Sequence, residues 1–151
     1  MIPVLDMEFT VLGLPAPQGS KRFVGTSKAG RGIMIESSPK VRPWREAVKH
    51  AALTKGFAAP LDGPLRLDLV LTLPKPASAP KRRQTWPQRK PDLSKLIRST
   101  EDAMTDAGVW HDDAQVVECF CAKRYPGEGE HALSSPGAWI RVSLLAADPA
   151  A

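Results

Sequence analysis

Polar and apolar residues alternate from Leu5 to Leu14, with Met7, Phe9 and Val11 on one side, and this two-residue period predicts a first strand ended by Pro15 and Pro17. A long loop follows, then a short strand over Ile33 to Glu36. From Val41 to Lys55 the period changes to that of a helix. Trp44, Val48, Ala51 and Ala52 form its apolar face, Pro43 is tolerated in its first turn, and Gly56 closes it. Arg42, Arg45 and Lys49 lie mostly off that face and read as a solvated charged surface. Leu65 to Leu73 alternates as a central strand should, with Asp68 turned away from some of its leucines.

Prolines at 74, 76, 80 and 87 exclude both a ladder strand and a helix, so the segment from Pro74 to Lys90 is a loop. A second helix is predicted with Ser94 as its N-cap, a stripe of Leu96, Ile97, Thr100, Ala103, Met104 and Ala107, and Gly108 as its stop. Gln115 to Lys123 reads as a strand, Pro126 to Pro136 as a glycine-rich loop, and Ala138 to Leu145 as the last strand, before a tail at 146–151 that should fray. Trp110 and Trp139 sit among apolar residues and are expected in the core. This order of elements predicts one α+β domain over residues 1–151, a mixed sheet with two helices packed on one face.

A chain of 151 residues with 42% hydrophobic content can build a core without disulfides. Cys119 and Cys121, the only cysteines, share one face of a predicted strand; with no second pair they make no tetrahedral zinc site and are expected as buried small hydrophobes. No signal peptide or membrane span is visible, so a cytoplasmic protein is expected.

The net charge of +5 favours polyanionic partners, and its distribution is more informative than its size. Lys81 to Lys90 holds five basic and no acidic residues, whereas Pro91 to Glu130 holds nine acidic and four basic ones. A basic collar beside an acidic pocket suits a metal-dependent nuclease, because cations offset phosphate charge while carboxylates hold the metal. Carboxylates at both edges of the second helix would remain ionised together mainly around a divalent cation, and Mg²⁺ fits because it draws remaining ligands from waters and phosphates. Two loops offer further contacts. Pro17 to Arg22 (PQGSKR) combines glycine, a hydroxyl, Lys21 and Arg22, enough to wrap a phosphate, and Trp86 in the proline-stiffened loop is placed either to stack on an exposed base or to pin the loop. His50 and His131 are expected at the surface; His111 adjoins Asp112 and Asp113.

The run from Asp92 to Lys123 resembles the RusA-type Holliday junction resolvases of phages and prophages. The resemblance is carried by Pro91-Asp92-Leu93-Ser94-Lys95-Leu96-Ile97-Arg98, by Asp102-Ala103-Met104-Thr105, and by Gly108 through Val117 leading on to Lys123. It implies Mg²⁺-dependent cutting of four-way DNA junctions by a homodimer, with Mn²⁺ able to substitute, no small-molecule cofactor and no membrane. Asp92 and Asp113 would be the metal-binding catalytic carboxylates, Asp112 would support Asp113 from behind, and Arg98 would stabilise charge. Lys21, Arg22, Arg82, Arg83, Arg89, Lys90, Lys95 and Trp86 would contact DNA. Two positions depart from the pattern: Ser94 stands where the family has an acid, and Arg98 where it has a lysine. Serine is the weaker ligand for Mg²⁺, and arginine keeps the charge but not the capacity to lose a proton. Three function classes follow: a junction endonuclease, a junction-binding protein whose cutting is weak or lost through Ser94, and a nuclease for other phosphodiesters.

Overall fold

The protein is described by a computed structural model covering residues 2–19, 21–36, 39–57 and 59–146. Its main sheet has the order β1 (Ile2–Leu12), β6 (Gly137–Ala146), β4 (Leu65–Thr72), β5 (Val116–Arg124). β6 runs antiparallel to both neighbours, while β5 is parallel to β4 and forms an edge, so the sheet is mixed. In β4, Leu65, Leu67, Leu69 and Leu71 are fully buried on the face that carries both helices. The opposite face is polar at its centre: Asp68 is buried and held by Arg66 at 2.9 Å and Arg141 at 3.4 Å. A smaller cluster of Val70, Ala122 and Trp139 also lies on that face.

Helices α1 (Val41–Lys55) and α2 (Leu93–Asp106) supply Trp44, Val48, Ala52, Leu96, Ala103 and Met104 to the main core. Burying the larger of these side chains, such as Val48, Leu96 and Met104, stabilises by roughly 1.5–3 kcal/mol each, which is why the two apolar stripes dictate the packing. One polar contact fixes their relative position: the buried Trp44 indole Nε1 donates to Thr100 Oγ1 at 3.2 Å, and that hydroxyl donates in turn to Leu96 O. Gly108 adopts φ +75° after α2, Val109 N bonds to Met104 O and Gly108 N to Thr105 O, the paired bonds of a left-handed helix stop that glycine permits.

Two local expectations are corrected. The stretch after Pro17 is not only loop, because β2 (Lys21–Thr26) pairs antiparallel with β3 (Gly32–Glu36). Its apolar pair Phe23-Val24 gives no alternation, so the strand is defined by its partner and by the tight turn from Ser27 to Arg31. Helix α2 starts at Leu93 rather than after Ser94, since Asp92 is extended and its carbonyl already accepts the first helical bond, from Leu96 N. Residues 147–151, where a frayed tail was expected, lie outside the described residues.

Candidate functional site

Asp92 stands at the N-terminal end of α2, exposed, with Lys95 Nζ 3.9 Å from its carboxylate. The backbone leading to it is clamped by Lys123 on β5, whose ammonium donates to Arg89 O at 3.0 Å and Pro91 O at 2.9 Å. On the other side Ser99 Oγ donates to Ala16 O at 2.7 Å, and Gln18 N donates to Lys95 O at 3.0 Å, so the loop after β1 is fastened against the same end of the helix. Ser94 lies exposed in the first turn.

Asp113 opens a short 3-10 turn (Asp113–Gln115) that leads into β5. Asp112 caps this turn by accepting from Ala114 N at 2.8 Å, while Gln115 Oε1 accepts from His111 N and Asp112 N. Gln115 Nε2 anchors the turn to the carbonyls of Leu61 and Gly63 at 2.9 and 3.0 Å. An extended Asp112-Asp113 pair would point its carboxylates apart, but the turn prevents this, and the two carboxyls share a hydrogen bond. The Ala114 amide and then that shared bond hold Asp112 below the usual carboxylate range. The same bond, followed by burial and the charges of Asp112 and Asp102, pushes Asp113 up.

The charges of Glu101 and Asp102 are felt at the Asp113 group; Asp102 opens one of the runs that carry the resemblance, whereas Glu101 is not among the expected site residues. Glu101 is half-buried, and burial, then the charges of Asp113 and Asp102, raise it above its ordinary value. This acidic group lies in the second half of α2. Nine residues separate Asp92 from Glu101, about 13 Å of helix axis at ~1.5 Å per residue, so within one chain Asp92 and Asp113 belong to separate stations. The donors around Asp113 are hard oxygens of the kind Mg²⁺ takes, and their mutual repulsion is what a cation would offset. Among the described residues no group of three or more His, Cys, Asp or Glu is arranged to hold a metal, so an ion there would depend on water and substrate phosphate for most of its ligands.

Arg98 is exposed and lines a hollow between the helices together with Arg42, Arg45, Lys49 and Asp102. Arg45 is bound to Asp106 at 2.7 Å, so part of that positive surface is already neutralised. Arg82, Arg83, Arg89 and Lys90 are all exposed along the proline-rich loop. The loop is ordered at its base: Glu128 accepts from Lys75 Nζ at 2.6 Å and from Thr85 N at 2.7 Å. Trp86 is 60% exposed, with the Arg124 guanidinium 5.1 Å from its ring centre, so one face is already covered. Lys21 and Arg22 belong to β2, but their side chains, like all of Ser20, lie outside the described residues.

Trp110 and Trp139 are buried as expected, Trp110 donating to Thr105 Oγ1 and Trp139 stacking on exposed His131 with ring centres 3.6 Å apart. His50 and His111 are exposed. The cysteines are a correction. Cys119 is exposed and Cys121 half-buried, because β5 is an edge strand, and their sulfurs lie 3.1 Å apart. Only one of the two can ionise readily at that distance: the contact with Cys121 lowers Cys119, and the contact with Cys119, together with burial, raises Cys121.

No helix is long and apolar enough to cross a membrane among the described residues. A family model described as "Endodeoxyribonuclease RusA" matches residues 13–132, a span that contains both acidic stations, the basic loop and the Lys123 clamp. No curated protein matches the chain.

Proposed function

Because the chain belongs to the RusA endodeoxyribonuclease family, whose members resolve Holliday junctions, we propose that it is a Mg²⁺-dependent, structure-selective endonuclease that cuts four-way DNA junctions in pairs as a homodimer. The observation that carries this is the family match across residues 13–132, a span that contains Asp92, Asp113 and the exposed cations of α2 and the adjoining loop. A junction has near two-fold symmetry and needs two cuts, which suits two copies of one chain. DNA recombination and repair in the cytoplasm, in a phage or prophage setting, is the matching role.

Mg²⁺, or Mn²⁺ in its place, supplies charge neutralisation at the scissile phosphate and an activated water. Asp92 and Asp113, the latter backed by Asp112, are the carboxylates assigned to metal binding, each at its own station. Arg98 contributes a permanent cation for the phosphate, and it cannot act as a proton donor or acceptor. Lys95, Arg89 and Lys90 beside Asp92, with Arg82, Arg83, Lys21, Arg22 and Trp86 further out, hold the DNA mainly through its backbone. A second reading rests on Ser94, whose neutral hydroxyl lies exposed near Asp92 where an acid would stand in the family pattern: binding with weak or lost cutting.

The deciding experiment measures nicking of a synthetic four-way junction in Mg²⁺ beside binding to it in Ca²⁺, for the parent, Asp92→Asn and Asp113→Asn. The proposal expects the parent to nick, either variant to lose nicking, and both to keep junction binding, since affinity comes mostly from phosphate contacts. Binding without nicking by the parent selects the second reading. Equal cutting of linear duplex removes the structural selectivity, and undiminished nicking by both variants overturns the assignment of the carboxylates.

A further inference from the structure

Directly beside Asp92 lies a cavity of about 550 Å³ whose walls are apolar and whose rim is charged. Six prolines line it: Pro15 and Pro17 from the loop after β1, and Pro74, Pro76, Pro87 and Pro91 from the loop between β4 and α2. Leu14, Leu73 and Tyr125 complete the apolar surface, while Lys40, Arg89, Lys90 and Lys95 surround Asp92 at the edge. The walls are held in place from three directions: Lys123 clamps the carbonyls of Arg89 and Pro91, Ser99 fixes Ala16, and Leu73 N donates to Arg124 O at 2.8 Å. Proline carries no N–H and has its φ fixed, so the cavity offers rigid hydrocarbon faces that lose little entropy on binding and leave few amides unsatisfied.

We propose that this cavity receives one unpaired nucleotide of the DNA substrate, its base against the proline and Tyr125 walls and its flanking phosphates on the rim cations next to Asp92. The size falls within the range of small-molecule sites, and a flat apolar base with anionic phosphates at its edge matches an apolar interior under a cationic rim. Taking a base out of a duplex costs unstacking and unpairing energy, and it costs least where the base is already poorly paired. Base pairs at a four-way crossover border an interrupted stack, so opening one there costs less than opening one inside a continuous linear duplex. The cavity therefore selects by structure without reading base edges, since every base has a π-face. This inference rests on the nuclease reading and deepens it by naming how a junction is distinguished from a duplex.

The test uses the full chain in Ca²⁺, a four-way junction carrying 2-aminopurine at its crossover, and the same probe in linear duplex. Unstacking brightens 2-aminopurine, so the proposal expects fluorescence to rise several-fold on binding the junction and to change little on binding the duplex. Leu14→Trp, at a lining position that is 45% exposed, narrows the cavity without altering charge, and Pro76→Trp does so from the opposite loop. Each should abolish most of the brightening and cut the junction-over-duplex preference about 10-fold, the factor that ~1.4 kcal/mol carries. Far-UV circular dichroism separates these effects from misfolding, and one folded variant of the two suffices. Junction binding with no brightening overturns the cavity's role and leaves the nuclease reading intact. Absence of junction binding at low salt overturns both.

Discussion

Replacing Lys123 with methionine tests whether the Asp92 station depends on its clamp. Methionine retains an unbranched apolar stem and removes only the ammonium, leaving the carbonyls of Arg89 and Pro91 without the donors they have at 3.0 and 2.9 Å. Hydrogen bonds from a charged donor contribute about 1.5–3 kcal/mol each when buried. Lys123 is only half-buried and water can reach part of the gap, so the sum for both bonds should be nearer ~2 kcal/mol. For a domain of this size each kcal/mol moves the melting temperature by roughly 2–4 °C, which predicts a fall of about 4–8 °C. Thermal denaturation followed by circular dichroism gives the number. The same variant should lose nicking rate by a larger factor than junction affinity, because the clamp positions Asp92 while the cations proposed to hold DNA are spread over other segments. A melting temperature within about 1 °C of the parent, or affinity falling as far as the rate, would refute the clamp.

Glu101→Gln should melt higher than the parent at neutral pH. The folded-state value of Glu101 is raised above its ordinary 4.5 by burial and by Asp113, so its contribution to stability is full below that ordinary value and lost as pH rises through the raised one; the gap between the two proteins should close on acidification toward 4.5, and a gap independent of pH rules the effect out. Replacing both Arg82 and Arg83 with alanine should weaken junction binding and flatten its dependence on salt, by roughly one unit of logarithmic slope for each phosphate that is no longer neutralised. An unaltered slope would mean that these two exposed cations only meet solvent.

Elements whose signal is local were legible in the chain. Helix α1 has the predicted bounds, Val41–Lys55, because its apolar face, first-turn proline and terminal glycine all lie within it or directly after it. β4 and β6 fell within one residue of their predicted limits at each end, since full burial leaves an apolar run. β2 was not legible, because a strand of Lys-Arg-Phe-Val-Gly-Thr depends on the partner it meets after a turn. The exposure of Cys119 was hidden for a related reason: sequence shows a strand but not that it lies at the sheet's edge. At the site, Asp92 and Asp113 were legible as candidates through their motif. Their separation, and the presence of Glu101 beside Asp113, were not, because both depend on how the chain turns back after Gly108.

The position of β6 in the sheet has a consequence for the order in which this protein becomes competent. β6 pairs with β1 along one edge and with β4 along the other, so it is the strand that joins the N-terminal part of the sheet to the part bearing both acidic stations. Yet it follows those stations in the chain. A nascent polypeptide ending at Arg124 already contains Asp92, Glu101, Asp113 and Lys123, but its β4 has no antiparallel neighbour and the helices have only half a sheet to cover. Pairings this distant in sequence form late, because loop-closure entropy must be overcome before they contribute. During synthesis, Asp92, Glu101, Asp113 and Lys123 are therefore translated before the strand that completes their scaffold, so the incomplete chain carries these residues without the full sheet that holds them in place.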